Sequence, residues 1–585
     1  MSKKNKGLLF PNYQNVKVDL NEVPLNQYPR KQLERDSFMC LNGAWDFTIS
    51  KSEEIPTSFD KKIMVPFAIE SAYSNINHLI EEDDILYYHK LVKLEKNFVK
   101  DELILHFEGV DQYCEVYINS KLVYKHSGGF TPFSVTLTDI KDEFDIILKV
   151  KDSTNNSYHS RGKQTFNITG YFYSSSSGIY KTVWLESVNS DYVKDVIYTP
   201  NYDEKTLKVN VVTDKDDKCK IYINDKKYDI STNKDEIISL SDDFHPWSNE
   251  SPYLYDVKIK YHKDEIKSYF GVRKIEIKEI NGFKRICLND KPVFISGLLD
   301  QGYYYIGNYT PKSYDEYLFD IKKTKEMGFN CLRKHIKTEM DMFYYYCDKE
   351  GILLIQDFPN GGGNYSFYQT VKARVLTFLT EKNINYKKMA RTSKEGRDEF
   401  INETYEYLKM YHNHPSILIY TIFNEGWGQF DSSKIYHDLK NREDSKLFDT
   451  ASGWYDADSD FYSIHTYTIP DMKRIDKRHR PFIISEMGGM SLKIENHSVY
   501  DGIFGHGIVK TKEELTDKYV KLYQDKILKQ ISLYGLNMTI YTELADCETE
   551  YNGIFTFDRQ VQKIDTKILK DINESLYKEI DKCTK

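Results

Sequence analysis

Two glutamates at matching places in the chain could carry chemistry. Glu425 closes the run Ile417-Leu418-Ile419-Tyr420-Thr421-Ile422-Phe423-Asn424, and Glu486, 61 residues on, closes Pro481-Phe482-Ile483-Ile484-Ser485. Runs of this kind read as strands of a parallel sheet buried on both faces. The C-terminal ends of such strands are where (β/α)8 barrels place their reacting groups. Two carboxylates that meet across a barrel mouth suit cleavage of a glycosidic bond: one protonates the leaving oxygen, the other attacks the anomeric carbon or activates water. The plain alternative is a rim ion pair between either glutamate and Arg333 or Lys337. Asn424 offers an amide to a sugar hydroxyl, and Trp427, after Gly426, an aromatic platform.

The elements that must position this pair follow from the rhythm of the chain. Residues 1–190 read as short strands, such as Leu103-Ile104-Leu105-His106-Phe107 and Ile146-Ile147-Leu148-Lys149-Val150, separated by turns like Ser127-Gly128-Gly129; a jelly-roll β-sandwich is expected. Residues 191–277 alternate in Leu207-Lys208-Val209-Asn210-Val211, and their length suits an immunoglobulin-like β-sandwich. From 278 to 585 strand and helix alternate, the mark of βαβ units and a C-terminal (β/α)8 TIM barrel. Pro292–Gly297, Asn330–Arg333 and Gly351–Asp357 are its expected first three strands, with a helix over Tyr314–Met327. A helix over Glu399–Tyr411 leads into the strand that ends at Glu425. Thr450–Trp454 and Phe461–His465 supply strands five and six, and the Glu486 run is the seventh. Two long excursions, 360–395 and 488–511, leave strand ends and are expected to shape a substrate site.

Composition excludes several classes. A net charge of −8 over 585 residues gives no basic footprint for nucleic acid or an anionic membrane. The apolar stretch after Met1-Ser2-Lys3-Lys4 is cut short by Pro11, so neither a signal peptide nor a membrane span is expected, and the expected location is cytoplasmic. Eight cysteines stand without paired spacing, which fits reduced thiols and no structural metal. No metal and no cofactor is expected. The 48 tyrosines include candidates for stacking on sugar, but any one of them is by default a half-buried packing group.

Ordered matches along nearly the whole chain resemble glycoside hydrolase family 2, in its β-galactosidase-like branch. Asn424-Glu425-Gly426-Trp427-Gly428-Gln429 resembles the family's acid/base motif, and Ser485-Glu486-Met487-Gly488-Gly489 its nucleophile motif. Leu41-Asn42-Gly43-Ala44-Trp45-Asp46-Phe47, Ser127-Gly128-Gly129-Phe130-Thr131-Pro132-Phe133 and Ser177-Gly178-Ile179-Tyr180-Lys181-Thr182-Val183-Trp184 resemble its sugar-binding-domain signatures. Leu299-Asp300-Gln301-Gly302, Arg333-Lys334-His335 and Gln356-Asp357-Phe358-Pro359 resemble its first three barrel strand ends. The resemblance implies a retaining exo-β-glycosidase in which Glu486 is the nucleophile and Glu425 the acid/base. It also implies that Asn424 bonds the 2-hydroxyl, that Arg333 keeps Glu486 ionised and that Tyr467 donates to Glu486. His335 and His465 serve equally well as hydrogen-bonded structural groups or sugar contacts. Asp300 and Gln301 could bond outer hydroxyls, and Trp427 and Trp454 offer apolar faces.

Departures from the family's patterns bear on the sugar. Where the family's glucuronidases carry Asn-x-Lys before Gly-Ile-Phe-Thr, this chain reads Glu550-Tyr551-Asn552 before Gly553-Ile554-Phe555-Thr556, an acidic group where a carboxylate would dock. The first-domain aspartate of β-galactosidases is replaced within Tyr171-Phe172-Tyr173-Ser174-Ser175-Ser176, and Glu543 stands where glutamine is expected. The expected substrate is a small glycoside or oligosaccharide, β-galactosidase-like, with β-glucuronide, β-mannoside and β-arabinoside as alternative sugars. A catalytically inert carbohydrate-binding protein is the alternative of another class, and a homo-oligomer is compatible with the sequence.

Overall fold

The structure is a computed structural model that describes residues 16–585 except 141, 169, 365–378, 468–475, 477 and 501. In the first domain, antiparallel strands form a six-stranded and a four-stranded sheet. Their inner faces pack Trp45, Phe47, Leu86, Tyr88, Leu105, Phe107, Val116, Leu148 and Leu185 into one core. The second domain pairs a three-stranded with a four-stranded sheet. Its strand Tyr255–Tyr261 buries every other residue, as a period of two demands of a half-buried strand.

The hairpin sheet Ile275–Ile280, Phe283–Leu288 and Lys291–Pro292 follows. Ile275, Ile286 and Leu288 pack with Leu299, Leu353, Ile355 and Ile419, so this sheet closes the lower end of the barrel. The expected first strand therefore begins later than Pro292, because Lys291-Pro292 is taken as an edge by Cys287-Leu288.

Eight parallel strands make the barrel: β1 Ile295–Asp300, β2 Cys331–Lys334, β3 Leu353–Asp357, β4 Ile417–Asn424, β5 Leu447–Ser452, β6 Tyr462–Thr466, β7 Phe482–Met487 and β8 Leu536–Tyr541. Their order runs 5-4-3-2-1-8-7-6, the sequential winding expected of βαβ units. All eight residues of β4 and all six of β7 are buried, because barrel interior cores one face and helices cover the other. The helix ahead of β4 spans Lys394–Tyr411, five residues earlier than expected, because the Ser393 hydroxyl accepts from the Gly396 amide at 3.0 Å and caps it there.

Between β5 and β6 the described residues form no ladder, and side chains stitch the seam instead. Ser463 Oγ donates to Asp449 Oδ2 at 2.8 Å, and Ser452 Oγ lies 3.0 Å from His465 Nε2. Of the two long excursions, residues 365–378 of the first lie outside the described residues. The second runs beside the barrel mouth, where the His506 ring stacks on Tyr467 at 3.5 Å between centroids. No described helix is long and apolar enough to cross a membrane, and all eight cysteines are free thiols.

Candidate active site

Six consecutive strand ends converge on one point. Arg333 comes from β2, Asp357 from β3, Asn424 from β4, Ser452 from β5, His465 from β6 and Glu486 from β7. Glu425 follows β4 in a left-handed turn, with φ of 51° at Glu425 and 71° at Gly426. A glutamate seldom adopts that conformation, and such backbones collect at functional sites. A Cβ at Gly426 would meet the Tyr455 ring at 2.5 Å, so glycine is required there on both counts. The turn is closed by the Trp427 amide donating to Asn424 O at 2.9 Å, and the Glu425 amide donates to Ser452 O at 2.8 Å.

The two glutamates face each other. Tyr467 Oη lies 2.5 Å from Glu486 Oε2 and 2.9 Å from Glu425 Oε1, so one phenolic proton serves two carboxyl groups. His465 Nδ1 is 2.8 Å from Glu425 Oε1 and 3.8 Å from Glu486 Oε2. Arg333 Nη1 donates to Glu486 Oε1 at 3.2 Å and to Ser485 O at 2.8 Å, while its Nη2 donates to Asn424 Oδ1 at 2.9 Å. Arg333 Nε donates to Asp357 Oδ1 at 2.9 Å, and Asp357 Oδ2 lies 2.7 Å from His335 Nδ1. Glu486 is thus in the ion pair with Arg333 that the plain reading allowed, yet its second oxygen faces Tyr467. Lys337 is elsewhere, bonded to Glu339 Oε1 at 2.8 Å.

The surrounding charges act strongly on Glu486. Burial pushes the Glu486 carboxyl up, but the charges of His465, His335, Arg333 and Lys163 outweigh it and hold the group well below the usual carboxylate range. Arg333 itself, although buried, is held above its ordinary value by Asp357 and Glu486. His335 is pushed down to about 4 by burial and by Lys163, against the pull of Asp357.

The other residues singled out from sequence are distributed unevenly. Trp427 is buried and stacks on Phe172 of the first domain at 5.2 Å. Gln301 is buried beside Glu543, whose carboxyl is pushed well above the usual range by burial and by Glu550. Asp300 is committed away from the glutamates: Lys334 Nζ donates to it at 2.5 Å and the Gly302 amide at 2.9 Å. Trp454 packs with Leu379, Met389 and Tyr455, its ring 6.4 Å from His465.

Sequence reasoning left Asp357, Ser452, His506 and Lys163 without a role. Asp357 had a signal, since it ends the apolar run Ile352-Leu353-Leu354-Ile355-Gln356. Lys163 had none, because it lies in a long loop of the first domain. Glu425, His465 and Glu486 each offer a ligand atom within 4.8 Å of the others, a set able to hold a metal ion. Arg333 and Tyr467 compete for the same carboxylate oxygens.

Residues 277–575 match the family model described as "Glycosyl hydrolases family 2, TIM barrel domain", residues 191–273 "Glycosyl hydrolases family 2" and residues 38–187 "Glycosyl hydrolases family 2, sugar binding domain". Among curated proteins, a β-galactosidase of Thermoanaerobacter pseudethanolicus is 26% identical over 313 residues, 48% of this chain and 41% of that protein. A β-glucuronidase of Streptococcus agalactiae is 23% identical over 435 residues, 68% of each chain. The match thus spans well under half the length of the first relative. Among solved structures, a β-glucuronidase of an uncultured Clostridium superposes with a TM-score of 0.72 at 17% identity, covering 94% of this chain and 99% of that one. A β-galacturonidase of Eisenbergiella tayi gives 0.69 at 17% identity, covering 94% and 99%. At such identity the superpositions bear on the fold.

Proposed function

Because the chain belongs to glycosyl hydrolase family 2, we propose that it is a retaining exo-β-glycosidase working by double displacement. The observation that carries this reading is the Glu425–Tyr467–Glu486 arrangement, with a carboxylate oxygen of each glutamate within 4.8 Å of the other. That separation supports retention, for which the carboxyl groups stand ~5–5.5 Å apart, over inversion, which needs ~6.5–9.5 Å to admit a water.

Glu486, ionised by its Arg333 pair, is the nucleophile: its oxygen bonds to the anomeric carbon as the glycosidic bond breaks. Glu425, whose partners are an imidazole and a phenol, protonates the departing oxygen and then takes a proton from the water that releases the sugar. Asn424 spends its carbonyl on Arg333, which leaves its NH2 to donate to the 2-hydroxyl.

The sugar we infer is neutral, in the manner of a β-galactosidase. A β-uronide is the second reading, favoured by the Lys163 ammonium in the charge neighbourhood of Glu486 and by the names of the glucuronidase and galacturonidase relatives. Initial rates on nitrophenyl β-galactoside, glucoside, mannoside, fucoside, arabinoside and glucuronide test both. Glu486→Gln should abolish turnover of whichever is cleaved, and unchanged hydrolysis would refute the mechanism. Sugar binding with no turnover of any β-glycoside would favour an inert carbohydrate-binding protein.

A further inference from the structure

The first domain reaches into the barrel mouth. Ser160 bridges Gly361, and the Arg161 and Gly162 amides both donate to Asn360 O at 2.9 Å. Asn360 Oδ1 in turn accepts from the Asn424 amide at 3.2 Å. This clamp delivers Lys163 beside the Glu425 turn. Lys163 is only 6% exposed, and its Nζ lies 5.6 Å from the Trp427 ring centroid and 5.3 Å from that of Tyr173. The Tyr173 hydroxyl donates to Glu550, whose other oxygen accepts from Asn552 Nδ2 at 3.2 Å.

Next to this lysine stand polar groups that the protein leaves unsatisfied. Glu543 is fully buried, and neither of its carboxylate oxygens has a hydrogen-bond partner among the described residues; both amide atoms of Gln301 share that state. A buried polar atom without a partner costs about 1–3 kcal/mol, so a group of four in one place calls for a ligand rich in donors and acceptors. The Lys163 charge acts on Glu486, Glu543 and Glu550 together. Burial pushes the Glu543 and Glu550 carboxyls up, toward their neutral forms, and Glu486 alone is held low, so the ammonium is already matched by the Glu486 charge and the unsatisfied atoms beside it suit hydroxyls.

We propose that Lys163 is a specificity-determining residue that, with Glu543 and Gln301, binds the outer hydroxyls of an uncharged terminal sugar. The ammonium and the Gln301 amide donate, and the Glu543 carboxyl accepts. The inference rests on the glycosidase reading and adds to it the residues that would select a neutral sugar. The groups within Lys163's field are Glu486 on β7, His335 after β2, and Glu543, Cys547 and Glu550 after β8.

The test compares the full-length wild type with Lys163→Met on nitrophenyl β-galactoside and β-glucoside and on the matching β-glucuronide and β-galacturonide. Galactose and glucose binding is measured by calorimetry alongside. Lys163→Met, which keeps the packed stem, should raise KM for the neutral substrate about 10- to 100-fold, with a smaller change in kcat and a parallel loss of free-sugar binding. An unchanged KM overturns the proposal. So does a wild type that prefers a uronide and loses that preference in Lys163→Met, which would assign the ammonium to a carboxylate. If the wild type cleaves nothing, the glycosidase reading fails, and the calorimetry alone decides: binding weakened by Lys163→Met upholds the site, and unaffected or undetectable binding overturns it. Should Lys163→Met not fold, Glu543→Gln repeats the test, with KM expected to rise about tenfold and an unchanged KM counting against the proposal.

Discussion

Arg333 Nη2 donates to Asn424 Oδ1 at 2.9 Å. A side-chain amide has one acceptor end and one donor end, so this contact fixes which end remains for a ligand. The donor end suits a sugar 2-hydroxyl, whose hydrogen bonds strengthen in the transition state. Asn424→Ala should therefore lower kcat/KM about 10²–10³-fold. Measured on a 2-deoxy glycoside the loss should shrink to a few-fold; an equal loss on both substrates would place the effect in Arg333, left without its acceptor.

Tyr467→Phe removes the proton shared by Glu425 and Glu486. A hydrogen bond to a charged group contributes about 1.5–3 kcal/mol, so kcat should fall about 10- to 100-fold. The bond favours the ionised form of Glu486, and without it that carboxyl binds its proton more tightly. The acid limb of the kcat/KM profile should move to higher pH, a displacement that a merely structural defect would not produce.

Glu425→Ala should separate the two halves of the reaction. A nitrophenolate leaves without a proton, so glycosylation of Glu486 proceeds, whereas the deglycosylating water has lost its base. A burst of nitrophenol followed by slow turnover is expected, together with restoration of rate by azide, which needs no deprotonation. A linear time course that azide leaves unchanged would contradict the assignment.

The junction of the first two domains makes stability depend on acid pH. Glu186 accepts from Tyr28 Oη at 2.6 Å and Arg35 Nη1 at 2.8 Å, and Arg35 also holds Asp264 of the second domain at 3.0 Å. Burial alone would raise the Glu186 carboxyl, but His106, Arg30 and Arg35, with the Tyr28 bond, bring it down to about 2 from 4.5. A lowered folded-state pKa means that the stabilisation is complete above pH 4.5 and is lost as pH falls toward 2. Glu186→Gln should cost about 3–5 kcal/mol at neutral pH and flatten the decline of Tm between pH 5 and 2.

Glu403 shows the opposite sign. It is buried in the helix Lys394–Tyr411, accepts from Ser160 Oγ of the first domain, and is pushed up to about 8 by burial and by Glu399. A raised carboxyl contributes least cost below pH 4.5 and progressively more as pH climbs through 8. Glu403→Gln should leave Tm unchanged near pH 5 and raise it at pH 8 to 9; a difference that does not vary with pH would refute this account.

The barrel was legible in sequence because its strands are buried on both faces: Ile417–Phe423 has no polar position except Thr421, and a run of that length suits a strand better than a helix. Glu425 and Glu486 were legible for the same reason, as charges at the ends of apolar runs. Side-chain direction was not. Asp300 ends β1 much as Asp357 ends β3, yet one turns to Lys334 and the other to Arg333 and His335, a choice made by neighbours on adjacent strands. Lys163 was invisible for a further reason: its place depends on backbone bonds to Asn360, across nearly 200 positions of chain, and backbone partners leave no trace in residue type.

The seam between β5 and β6 has a bearing on durability. His465, which touches Glu425, is tethered across it by Ser452 Oγ at 3.0 Å rather than by a ladder of amides. Side-chain tethers exchange with water far more readily than a buried ladder, so the barrel can breathe here while the rest of the sheet holds. Warming should then silence the enzyme before it melts, with activity fading at temperatures where the two sandwiches and the remaining strands are still intact, and returning on cooling.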